Sequence, residues 1–570
     1  MSALTGATSA WQSFSAPGSA DFTIALREPI VIVPGIAGTI LQDANGSEVW
    51  PNIKKMLVSP SDNYLDALTV GASTIRAAAI LKTVTLVVGG VTVLSDDFYG
   101  NLIKAFANEG YVEGKDLFTV PYDWRLDIDS SVSALAGVIA RARAAASSGK
   151  INIIAHSMGG LLVKKYLATV AAATGAPASF LDKLVLAGVP EIGAPYAFKI
   201  LDYGDDLGIP IVSRDEVRRI AHSMPAMYEL LPSARYAAVA GSYMHDFRGG
   251  GSVSLDHAAI ARFLAGVAGA NSDPALAARA DAFHLTIDTA PVAAPNVYTI
   301  VGCGKPTIAG YDLYDNGVVD LEWESGDGTV PEVSAMDREN NSHAYYVMSG
   351  ATGIDHTGLV SDARPVALIT SIIAGTAGAG GAGTGPVAPG SPAPLPQGIS
   401  SSAADCATQS AAASNDTTIE FGIHGVGTGT AVNAIAFGVY DASGNYTGVT
   451  ASGTALTGIP GSDYEKIGNN IFVIVPAGGR YRSIERSTAP GAFAMKVRGY
   501  RGLMLDREAT YLSVPLVGSS SFAELDFAGF GGDMDLHMGR KDGANGMSTP
   551  MFQNIRHPDS VLSAPFTKKN

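Results

Sequence analysis

Short apolar runs alternate with helix-length segments through the first part of the chain. Pro29–Gly35 (PIVIVPG), Leu117–Pro121, Lys150–Ser157, Lys183–Pro190 and Asn296–Cys303 are β-rich stretches that each end in turn residues. Between them, Val132–Ala146 and Gly159–Ala173 read as helices. The β runs are continuously apolar rather than alternating, which is the pattern of strands buried on both faces. An α/β fold with a mostly parallel central sheet is expected. Thr83–Leu94 is apolar too, but it is too short to span a bilayer and reads as two strands around Gly89-Gly90.

The pattern breaks after Arg364. No charged residue occurs between Arg364 and Asp405, and Ala374–Gly398 is almost entirely Gly, Ala and Pro. Such a segment is costly to order and lacks ladder donors, so it is expected neither to fold nor to pack. Beyond it the period becomes two: Ile419, Phe421 and Ile423 alternate with Glu420 and Gly422, and Ile435, Phe437, Val439 and Phe493, Met495, Val497 do likewise. Antiparallel strands in a sandwich or barrel are expected there. The division read from the sequence is a tail over 1–20 and an α/β domain over 21–373, with long insertions at about 52–94 and about 196–295. A linker over 374–414 and an all-β accessory domain over 415–570 follow.

Composition narrows the chemistry. Of 570 residues, 47% are hydrophobic and 16% charged, which excludes a disordered chain. Lys+Arg 38 against Asp+Glu 53 gives −15, which argues against a nucleic-acid partner. With only Cys303 and Cys406, neither a disulfide scaffold nor a cysteine metal site is available, and whether the two pair stays open. The first residues lack the basic start and apolar core of a secretory signal.

Ala155-His156-Ser157-Met158-Gly159-Gly160 joins an apolar strand to a helical pattern. A serine on such a turn projects its hydroxyl above the sheet, and small residues two before and two after let the backbone turn that tightly. Ser157 is the expected nucleophile. A base and an orienting acid should follow it in the order acid, then His. Gly326-Asp327-Gly328 offers the acid, with Asp320, Glu322 and Asp355 as rivals. His356 offers the base, with His343 as a rival that starts its strand and so should lie at the opposite sheet edge. Backbone N–H groups of Ile36 and Met158 are the expected oxyanion donors. His156 is expected to pack behind the site, and Asp123-Trp124-Arg125 to form an ion pair with an indole over the core. Asp533 and Asp535 are expected to be solvated. No spacing suggests a metal site, and no cofactor is expected.

Taken together, PIVIVPGIAGTIL, Glu48-Val49-Trp50-Pro51-Asn52, Pro121-Tyr122-Asp123-Trp124-Arg125, AHSMGG, Gly193-Ala194-Pro195, GDGTVP and His356 resemble the lecithin:cholesterol acyltransferase-like family. That family includes lysosomal phospholipase A2 and bacterial lipase-like relatives. The resemblance runs from about Pro29 to about Ser361. It implies an α/β-hydrolase whose insertions form a lid (about 52–94) and a cap (about 196–295), the triad Ser157, Asp327 and His356, and oxyanion donors Ile36 and Met158. The implied partner is a hydrophobic ester, lipid or polymer, met through a lid at a membrane or other interface. The expected function is a serine carboxylester hydrolase; the alternatives are an acyltransferase and a non-catalytic binding protein on a hydrolase scaffold. The lid holds no cysteine, and the β-rich part beyond the linker lies outside the resemblance.

Overall fold

The computed structural model describes residues 11–556 apart from 15–21, 26, 53–54, 56–62, 89–90, 177, 206–211, 267–272, 289–295, 338–342, 378–393, 407–417, 426–434, 451–454, 488–490, 502–503, 517–520, 531–535 and 541–553. A seven-stranded sheet organises the first part. Its order is Ile399–Ser400, His343–Met348, Val297–Cys303, Leu181–Ala187, Ile151–His156, Ile30–Val33, Leu117–Thr119. All neighbours are parallel except Ile399–Ser400, which pairs antiparallel at the edge.

The continuous apolar runs have the expected cause. Alternate residues of one strand feed two different cores: Val31 and Val33 face one, Ile30 and Ile32 the other. Helices Ile128–Ala145 and Met158–Thr174 cover the first through Leu135, Ile139, Leu161 and Leu162. Helices Gly100–Asn108 and Ala363–Ala374 cover the second through Leu102, Phe106, Leu368 and Ile369. The first helix begins four residues before the sequence-read start at Val132. Asp127 caps it, its Oδ1 accepting from Ser130 N at 3.0 Å. Thr83–Val88 and Val91–Asp97 pair antiparallel, as the apolar run suggested.

Short helices, Tyr196–Tyr203, Arg214–Ala221, Pro225–Glu229 and Ala234–Ala240 among them, add their buried residues to the first core. The sequence reading missed a long hairpin, Lys305–Leu313 with Val319–Gly326. It leaves the sheet just past Cys303 and returns to the same point, because Lys305 pairs with Gly326.

Beyond the parallel sheet and its helices, two six-stranded antiparallel sheets share one apolar core. Phe421, Phe437, Phe493 and Tyr511 are buried in it. Of the sandwich or barrel expected, this is a sandwich.

Two expectations need correction. The tail over 1–20 contains a strand, Trp11–Phe14, paired with Phe22–Ala25. Parts of the linker over 374–414 do pack: Ala374 ends a helix, Ala377 and Leu395 lie against the core, and Ile399–Ser400 joins the sheet, while residues 401–405 are exposed. Cys406 is disulfide-bonded to Cys303 at a separation of 103 residues. Gly and Pro weaken local order, but a few apolar residues and one covalent tie suffice to dock these stretches. Residues 378–393 and 407–417 of that linker lie outside the described residues. Among the described residues no helix is long and apolar enough to cross a membrane.

Candidate active site

Ser157 lies between strand Ile151–His156 and helix Met158–Thr174 with φ 55° and ψ −133°. A positive φ at a non-glycine residue is strained, and such strain persists only where the surroundings enforce it. They do so here through close backbone approach. A Cβ on Gly159 would lie 2.5 Å from Pro34 O, and one on Gly160 would lie 2.2 Å from Val189 Cγ2. Gly35 passes so near that its Cβ would be 2.8 Å from Ser157 Cβ.

The hairpin delivers Asp327 above the end of strand Val297–Cys303, where a Cβ on Gly302 would be 2.5 Å from Asp327 Cβ. His356 follows the strand His343–Met348. His356 Nδ1 lies 2.7 Å from Asp327 Oδ2, and His356 Nε2 lies 2.9 Å from Ser157 Oγ. Asp327 is 1% exposed, and its Oδ1 accepts from the N–H groups of Thr329 and Val330 at 2.9 and 2.8 Å. Burial works against its charge, but His356 and these hydrogen bonds outweigh it and hold the carboxyl below its usual range. Burial likewise pulls the His356 ring down, yet the Asp327 carboxylate raises it above its ordinary 6.5.

The structure therefore brings Ser157, Asp327 and His356 together. The rivals lie elsewhere. Exposed His343 stacks on Tyr298, ring centroids 4.8 Å apart, at the opposite end of the strands. Asp355 Oδ1 accepts from Gly358 N at 2.8 Å, Glu322 lies 3.6 Å from His245 Nε2, and Asp320 is buried against the sandwich. Ile36 lines the cavity beside Gly35, and Met158 is the first residue of its helix, where the N–H has no intrahelical acceptor. Arg125 pairs with Asp123 at 2.7 Å, and Trp124 donates to Thr39 O while its ring meets Trp50 edge-on. Asp533 and Asp535 lie outside the described residues.

Behind the site runs a connection the sequence did not signal. Gly35 N–H donates to the Tyr99 hydroxyl at 2.8 Å, which lies 2.8 Å from His156 Nδ1; His156 Nε2 lies 3.0 Å from His356 O. Burial and the neighbouring His356 push the His156 ring down to about 3, so it is neutral. Its Nε2 must then carry the hydrogen toward the carbonyl, leaving Nδ1 to accept from Tyr99. Nothing in the sequence around Tyr99 marks it; only the fold brings it there.

A cavity of about 700 Å³ opens above Ser157. Trp50, Leu68, Val217, Ile220, Met224 and Leu230 make one wall apolar. Ile260 and Leu264 of the insertion over 196–295 border a separate void of about 20 Å³ and are buried in the first core.

Residues 69–289 match the family model described as lecithin:cholesterol acyltransferase. A phosphatidylcholine-sterol acyltransferase of Rattus norvegicus is 27% identical over 300 residues, 48% of this chain and 62% of that protein. A lysosomal phospholipase A and acyltransferase of Bos taurus is 28% identical over 138 residues, 23% of this chain and 32% of that protein. The chain thus spans less than two thirds of the length of these relatives. Among solved structures, one from a Tle4-Tli4 complex aligns at 14% identity with a TM-score of 0.41, covering 61% of this chain and 98% of that one. The first part of the chain is an α/β-hydrolase similar to the lecithin:cholesterol acyltransferase family.

Proposed function

We propose that the chain is a serine carboxylester hydrolase working through a covalent acyl-enzyme. The observation that carries this reading is the pair of hydrogen bonds joining Ser157 to His356 and His356 to Asp327 beneath an apolar wall. Ser157 Oγ attacks the ester carbonyl as His356 Nε2 takes its proton, and Asp327 orients the ring and supports its positive charge. The N–H groups of Ile36 and Met158 receive the oxyanion, a role in which one donor is worth about 10²–10³ in kcat. His356 then protonates the departing alcohol, and water repeats the sequence on the acyl-enzyme. The apolar wall favours hydrophobic acyl groups: each buried methylene contributes ~0.8 kcal/mol, about fourfold in affinity. The segment 52–94, whose Leu65 and Leu68 reach the cavity, is the part that meets a lipid interface.

Ser157→Ala should abolish cleavage of p-nitrophenyl esters while leaving thermal unfolding unchanged, and wild-type protein should be labelled at Ser157 by a fluorophosphonate. Retained cleavage in the variant would reject the mechanism, and absent labelling would favour a non-catalytic scaffold. The similarity to proteins named acyltransferases supports a second reading, in which an alcohol takes the place of water on the same acyl-enzyme. Product analysis with added alcohol separates the two, since free acid alone would rule transfer out.

A further inference from the structure

The cavity above Ser157 is not walled by the hydrolase part alone. Ala455, Leu456 and Thr457, and then Asp463, Tyr464 and Glu465, also line it. They come from strands Ala455–Thr457 and Asp463–Ile467, which are the outermost strands of the two sandwich sheets. One edge of the sandwich, where both sheets end side by side, therefore faces the substrate space.

That edge is fixed in place. Lys199, 1% exposed on helix Tyr196–Tyr203, lies between Asp205 at 2.7 Å and the sandwich's Glu465. Arg214 Nη1 donates to Lys466 O at 3.1 Å, and its guanidinium lies 5.3 Å from the Tyr464 ring centroid. A second seam lies farther along, where Arg498 reaches Asp320 at 2.8 Å and Trp323 Nε1 donates to Glu420 at 2.8 Å. A wall held by buried charge pairs on both halves is part of the cavity's shape, not a loosely tethered neighbour.

The part of the cavity that meets the sandwich is charged, and its orientation follows from the base. Lys199, Asp205, Arg214, Lys305, Asp463 and Glu465 line the cavity together with the apolar residues. Lys305 Nζ is 4.0 Å from Asp463, and a Cβ on Gly328 would be 3.0 Å from Lys305 Cε. Gly328 follows Asp327, which holds His356, so Lys305 and the sandwich's Asp463 lie on the imidazole's side of Ser157. The departing oxygen must receive its proton from His356 Nε2 and hence leaves on that side.

We propose that the sandwich edge forms the alcohol-side wall of the substrate cavity, with Leu456 at its rim setting the size of alcohol admitted. Leu456 is 45% exposed while lining the cavity, which places it at the mouth, where a larger side chain narrows entry without disturbing a core. The assignment rests on the hydrolase reading and extends it to a part of the chain that the family match, ending at 289, does not reach.

The test varies alcohol and acid separately in the full-length protein. Because kcat/KM reports acylation, it senses the alcohol before it departs. Leu456→Trp should lower kcat/KM at least tenfold for 2-naphthyl octanoate and less than twofold for methyl octanoate. The ratio between p-nitrophenyl butyrate and p-nitrophenyl dodecanoate should stay unchanged. Leu456→Ala should move the naphthyl-to-methyl ratio the other way, and Thr457→Phe supplies a second obstruction from a neighbouring exposed position. An unchanged alcohol ratio in all three variants, or a shift confined to the acid series, overturns the proposal. A wild-type protein inert toward every ester and unlabelled by fluorophosphonate overturns the hydrolase reading itself, and this wall assignment with it.

Discussion

His156 stands next to Ser157 in the chain, yet its ring points at the backbone of His356 and at Tyr99 rather than at the reacting oxygen. Held neutral at any working pH, it braces the loop of Gly35 against the loop of His356, whose ring the Asp327 carboxylate raises above its ordinary value. In the proposed mechanism the neutral His356 ring is the active form. Activity should therefore fall as pH drops through a value above 6.5, since the Asp327 carboxylate raises that ring. Asp327→Asn removes the attraction and leaves burial, which acts in the opposite direction. The acid limb of kcat/KM should move to lower pH and kcat should drop by roughly 10⁴; a limb that stays in place would assign the titration to another group. At this scale Ser157, Asp327 and His356 were legible because the chemistry demands those side chains in a fixed order after tight turns. Tyr99 was not, since a buried phenol bridging two loops leaves no local trace in sequence.

Strands and helices of the central sheet were legible for a related reason: burial on both faces forces runs of Val, Ile and Leu that little else explains. The hairpin Lys305–Gly326 escaped notice because its polar residues, Asp312, Asp320 and Glu322 among them, mimic a surface loop. Partners far along the chain, His424 and Arg498, bury Asp320. The Gly- and Pro-rich stretch misled in the opposite sense, since Ile399–Ser400 completes the sheet edge and Cys406 ties back to the end of a core strand. Closing a loop of 103 residues restricts the unfolded chain, an effect worth about 2–4 kcal/mol. Cys406→Ser should lower the free energy of urea unfolding by about that amount, and reductant should do the same to wild type but nothing further to the variant.

Across the whole molecule the two parts meet through charge. The alternation that read as a sandwich placed Phe421 and Ile423 in its core, but it said nothing about what the other face meets. There Glu420, 1% exposed, accepts from Trp323, and Arg498 spans Asp320, Glu420 and Glu508. Removing one member of such a cluster leaves the rest buried without compensation, at about 3–5 kcal/mol. Arg498→Ala should therefore unfold earlier in urea by that margin, whereas Arg482→Ala, which removes an exposed pair with Glu524, should change little.

The hairpin has one end at the chemistry and the other in the seam. Asp327 leaves its foot, while Asp320 and Trp323, a few rungs up the same ladder, grip the sandwich. A paired ladder transmits displacement along its length better than a loop does. A shift of the sandwich would therefore bear on the strand that leads to Asp327, with the irregularity between Ile308 and Gly310 lying between the Asp320 contact and the hairpin's foot.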